Sequence, residues 1–199
     1  MPPAYQRMVK ETLTNQRLAK SSLLAGLNRP ASSLMGGDEQ GNRFSVIGPN
    51  GKVMLSDRPT FRWSQLGGAT GYVVEVYDEK FNLAAASPQL TGNSWTPTQP
   101  LKRGGIYSWQ VKATKDGQGF TSPRPPAPQA KFRILDQAKV NELAQARREY
   151  ASSHLTMGLL YSDAGLLDEA EKEFRALQKS NPDSALVRRL LSQVQKLRR

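Results

Sequence analysis

The hydrophobic period of this chain switches from alternating to helical at Asp136, and that change constrains its folding more than any other feature. From about Phe44 to Leu135 apolar residues alternate with polar ones; from Asp136 onward they recur at spacings of three and four. Alternation puts every second side chain on one face of a strand, whereas the longer spacing draws an apolar stripe along a helix. In GYVVEVYD (71–78), Tyr72, Val74 and Val76 share one face, with Val73, Glu75 and Tyr77 opposite. IYSWQVKA (106–113) sets Tyr107, Trp109, Val111 and Ala113 against Ser108, Gln110 and Lys112. PTFRWS (59–64) and AKFRIL (130–135) alternate likewise, and shorter strands are expected at 44–48, 52–56, 83–87 and 93–97. PNG, LGGATG, TGN, KRGG and KDGQG read as turns between them. About seven one-sided strands punctuated in this way predict antiparallel sheets packed as a β-sandwich.

PTFRWS, GYVVEVYD, the Trp95 segment and YSWQVKA together resemble a fibronectin type III-like sandwich over residues 44–135. The resemblance implies an early strand with a core Trp and a later one with a core Tyr, roles that fall on Trp63 and Tyr107. It implies an Ig-like fold and no particular activity; an RGD-type adhesive tripeptide is absent. SPRPPAPQA (122–130) interrupts the pattern, because proline cannot donate to a central ladder. An edge segment leading into the last strand, or a polyproline ligand, both fit it.

Beyond Asp136, a plausible N-cap, helices are expected around Val140–Arg147, then after Ser152 or Ser153, then from Leu167 to Asn181–Pro182, and from Asp183 onward. Residues 151–184 resemble one tetratricopeptide repeat, a helix–turn–helix of about 34 residues. Gly158, Tyr161, Gly165, Ala170, Phe174 and Pro182 carry the resemblance, while His154 and Met157 depart from it. It implies small residues where paired helices approach, aromatic fillers beside them, and a concave face that recognises protein. Since one repeat leaves apolar faces uncovered, the flanking helices are expected to cap it in an α-hairpin array. The whole chain then divides into an N-terminal helical arm and linker (1–43), the sandwich (44–135), and the tetratricopeptide-like unit with its capping helix (136–199).

The N-terminal arm carries Tyr5, Met8, Val9 and Leu13 at helical spacing, a short helical piece at 21–27, and a Gly-, Ser- and Pro-rich linker, NRPASSLMGGDEQGN. Cysteine is absent and His154 is the lone histidine. Nucleophile–base pairs, a phosphate loop, a dinucleotide fingerprint and a zinc-protease motif are missing, so no enzyme and no cofactor is expected. No stretch is long and apolar enough to span a membrane, and the first residues lack the apolar core of a secretory signal. A cytoplasmic protein and the soluble part of an envelope-associated one both fit. The formal net charge is +11, and RRLLSQVQKLRR (188–199) holds five basic residues and no acidic one. The expected function is therefore protein–protein interaction: Tyr77 and Val73 on the outward sheet face, and Arg188, Arg189, Lys196, Arg198 and Arg199 steering an acidic partner. Two alternatives remain open from sequence. One is binding of a polyanion such as nucleic acid or an envelope polymer; the other is carbohydrate recognition with Trp95 as the stacking platform.

Overall fold

A computed structural model describes residues 1–27 and 44–198. The expected linker at 28–42 and Arg199 lie outside these residues. The chain is a mixed α and β protein with two compact units. One is Met1–Ala25 together with Asp136–Arg199, and the other is Gly26–Leu135.

The sheet unit contains β1 (Val46–Gly48), β2 (Lys52–Met54), β3 (Phe61–Trp63), β4 (Gly71–Asp78), β5 (Leu83–Ala86), β6 (Ser94–Trp95), β7 (Ile106–Lys115), β8 (Gln118–Ser122) and β9 (Ala130–Ile134). These form two sheets. The smaller has the order β1-β3-β6; the larger runs β2-β9-β7-β4-β5, with β8 also on β7. Alternation in the sequence becomes burial: Tyr72, Val74, Val76, Tyr107, Trp109, Val111 and Phe132 face a core shared with Phe61 and Trp63 of the small sheet. Phe61 lies 5.0 Å from Trp109 and 5.5 Å from Phe132, edge to face, so one ring joins both sheets. Trp109 settles its buried indole N–H on the Pro49 carbonyl at 2.7 Å.

Strand β8 goes beyond the sequence expectation, which is a turn at KDGQG. Asp116 and Gly117 are both left-handed, at φ 51° and 75°. They connect Lys115 to Gln118 as a two-residue hairpin, the turn that Asp-Gly favours because its twist matches that of paired strands. The proline run after β8 stays outside the ladders, and pairing with β7 resumes at Ala130.

The helical unit contains α1 (Pro3–Asn15), a 3-10 turn at Ser22–Leu24, α2 (Gln137–Tyr150), α3 (His154–Asp163), α4 (Leu167–Ser180) and α5 (Ala185–Arg198). Asp136 caps α2 through Lys139 N–H at 2.8 Å, and Ser153, of the two serines considered, caps α3. Gly165, at φ 72°, ends α3. Its N–H bonds the Ser162 carbonyl, and that of Leu166 bonds the Tyr161 carbonyl at 2.8 Å, the paired bonds of a Schellman stop. Thr156–Ser162 are buried without a break, so α3 is surrounded rather than one-sided. Packing of α4 against it depends on Gly158, where a Cβ would come within 2.6 Å of the fully buried Phe174 ring. Glu171, only 5% exposed, is held by Arg175, Gln195 and Arg198 and so ties α4 to α5.

Gly158→Ala should therefore destabilise the helical unit. Overpacking costs about 1–3 kcal/mol, against about 1 kcal/mol gained in helix propensity. Thermal denaturation should show a midpoint lower by several degrees, partly restored when Phe174→Leu is added.

Candidate functional site

One length of chain in the helical unit is held by side chains rather than by a ladder. Helix α1 ends where Gln16 turns left-handed, at φ 52°. The residues from there to Ser21 carry no regular secondary structure. They are held from two sides. On α5, Arg189 and Gln193 lie one turn apart and so face the same way. The Gln193 side-chain amide reads backbone in both senses: its Oε1 accepts from Leu18 N–H at 2.8 Å, and its Nε2 donates to the Gln16 carbonyl at 2.9 Å. Arg189 donates to the Gln16 side-chain oxygen. At the end of α3, the Asp163 carbonyl accepts from the Ser21 hydroxyl at 2.5 Å. Tyr5 anchors α1 by donating to Glu142 of α2 at 3.1 Å; burial, then the Glu142 charge, pushes the phenol up to about 12.

The fit is loose. Leu18 is half-buried, whereas Arg17, Ala19 and Lys20 are exposed. Between α1, residues 17–19 and α3 lies a cleft of about 660 Å³, lined in part by Met8, Thr12, Leu159 and Ser162. Ser162 is 3% exposed, yet its Oγ has no hydrogen-bond partner.

The sheet unit offers a second surface. Glu75 is the hub of the outward face of β4 and β7. It accepts from Tyr77 at 2.6 Å, Gln110 at 2.8 Å and Lys112 at 2.7 Å. Burial alone would raise its carboxyl, but the three donors outweigh that and hold it down at about 2. At the β4–β5 turn, Asp78 accepts from the Lys80 and Asn82 N–H groups, both at 2.8 Å. The turn holds Phe81 at φ 61° with its ring 68% exposed, and Leu83 beside it is 59% exposed. A bulky residue in the left-handed region is uncommon and needs such support.

The expected contact residues divide accordingly. Val73 and Tyr77 are half-buried on the Glu75 face. Arg188 and Lys196 are exposed on α5, and Arg189 is exposed while bonded to Gln16. Arg198 is engaged internally, with Asp168 at 2.6 Å and with Glu171. Arg199 lies outside the described residues. Trp95 is half-buried and stacks on Phe61, with centroids 5.6 Å apart. His154 pairs with Glu173 at 2.7 Å. Sequence reasoning missed Gln16, Leu18, Ser21 and Gln193, and also Phe81 and Leu83. The spacing of Arg189 and Gln193 on the polar side of α5 was a readable sign; the segment they hold had none.

Among the described residues no group of three or more His, Asp or Glu side chains is placed to hold a metal ion. No helix there is long and apolar enough to cross a membrane. No protein-family model matches the chain, and no curated protein matches it.

Two outcomes are expected. Gln193→Ala removes two hydrogen bonds of about 1 kcal/mol net each, so the Leu18 amide should exchange with deuterium at least tenfold faster while amides of α3 and α4 are unchanged. For Glu75, the lowered folded-state value means that its contribution to stability is complete above the ordinary value of 4.5 and is lost as the pH falls toward 2. Glu75→Gln should flatten the dependence of the unfolding midpoint on pH within that window.

Proposed function

We propose that this chain is a non-enzymatic interaction module, a fibronectin type III-like sandwich followed by a tetratricopeptide-like helical unit that takes hold of another protein. The observation that carries the reading is the Gln193 amide, which grips a non-helical segment by its backbone at both a carbonyl and an N–H. A surface that reads backbone in this way accepts peptide of varied sequence. The exposed Arg188 and Lys196 on the same helix favour an acidic partner.

Packing details support the fold assignment. Trp63 and Tyr107 both lie in the core, and the Tyr107 hydroxyl donates at 2.8 Å to the Lys102 carbonyl upstream, as in the tyrosine corner of Ig-like sandwiches. Gly158, Ala170 and Phe174 are buried, and the Phe174 ring lies against Gly158, in keeping with the small residues and aromatic filler that the repeat resemblance expects.

The test is affinity capture from native extract with the full chain as bait. Arg188→Glu combined with Lys196→Glu should lower recovery of the retained partner by about tenfold, with a salt dependence that the wild type shows and the variant lacks. Recovery unchanged both in that variant and in Val73→Ser/Tyr77→Ala would remove both surfaces from the reading.

A further inference from the structure

Residues 16–21 occupy the surface that, in the reading above, receives a partner. We propose that this segment is a built-in competitor: the Gln193 site binds a short non-helical peptide segment of another protein, and Gln16–Ser21 fills the site until that segment displaces it. The inference rests on the interaction-module reading and adds to it the ligand's chemistry and a means of control.

Three observations lead here. First, the grip is generic. Gln193 takes one carbonyl and the N–H two residues on, which many non-helical peptides present, and Asp163 offers a carbonyl to a hydroxyl three residues after that N–H. The ligand class follows as a segment of the form Gln-x-Leu-x-x-Ser or its polar equivalents, with Arg189 reading the first side chain. Second, the resident segment underfills its place. The cleft beside it is lined in part by Leu159 and Ser162, and Leu18 is only half-buried. A competitor with a larger apolar side chain gains contacts that the resident segment lacks. Third, the segment is tethered beside its site by α1, which Tyr5 fastens to Glu142. A tether raises local concentration, so weak contacts suffice to keep the site filled and a partner meets a graded barrier.

The experiment uses the full-length chain and a fluorescent, end-blocked peptide with the sequence Asn-Gln-Arg-Leu-Ala-Lys-Ser-Ser, that of residues 15–22. Leu18→Pro with Ser21→Ala in the protein removes the N–H that Gln193 accepts and the hydroxyl bound to Asp163. The peptide should bind this opened protein at least tenfold more tightly than the wild type. Ser21→Ala alone should give a smaller gain in the same direction, which keeps the test valid if the double variant misfolds. Adding Gln193→Ala to the opened protein should abolish binding, as should proline at the peptide's leucine position. Equal affinity for wild-type and opened protein would overturn the proposal, as would binding that survives Gln193→Ala, or no binding to any variant whose circular dichroism is intact. A wild-type dimer that forms with concentration and is lost in Gln193→Ala would also overturn it, by making a second copy the occupant. If the peptide fails while charge reversal on α5 still lowers partner capture, the competitor is refuted and the interaction module stands.

Discussion

The contact between Phe174 and Gly158 sets the separation of α3 and α4, and the other helices take their places from it. With α4 that close, the remaining sides of α3 fall to its neighbours, and a helix buried throughout Thr156–Ser162 results. Such a helix shows solvent little of its side chains. What the unit presents lies at its margins, on the polar side of α5 and the last carbonyls of α3. Those are the groups that hold residues 16–21. The buried Glu171 serves the same end, because a carboxylate withdrawn from water must be paired, and its pairing with Arg198 fixes α5 against α4.

The sheet unit shows the same economy with an aromatic ring in place of a glycine. Phe61 comes from a three-residue strand, yet it touches Trp95, Trp109 and Phe132, which belong to three other strands. The smaller sheet is thus held to the larger by side-chain packing, with few ladder bonds of its own. The larger sheet keeps its charged hub on the far face, where Glu75 gathers three donors from β4 and β7.

Much of this was readable in the residues. Alternation located β4, β7 and β9 and their buried faces, since a strand with one wet side has no other way to hide its apolar groups. Asp136 and Gly165 marked helix ends by chemistry that acts within a few residues of itself. Legibility failed where distant parts of the chain decide the outcome. Arg198 looks like a surface cation until α4 brings Asp168 and Glu171 to it. Gln16–Ser21 has no period, and its place depends on a glutamine on the last helix. β8 is a different case: the turn at KDGQG is local and legible, but QGFTS has no apolar alternation to announce the strand that follows it.

Strands β8 and β9 run in the same direction along one edge of β7. Ser122 pairs with Val111, and Ala130 with Trp109. They amount to one interrupted strand, and the proline-rich residues 123–129 leave the edge and return almost where they departed. The two ends are fixed by the ladders while the stretch between carries no ladder bond, so its length is a free variable of the fold. Extra sequence inserted there would lengthen an excursion without shifting the register on either side. The sheet thus has a natural port through which the protein could acquire a new loop while its core stays as it is.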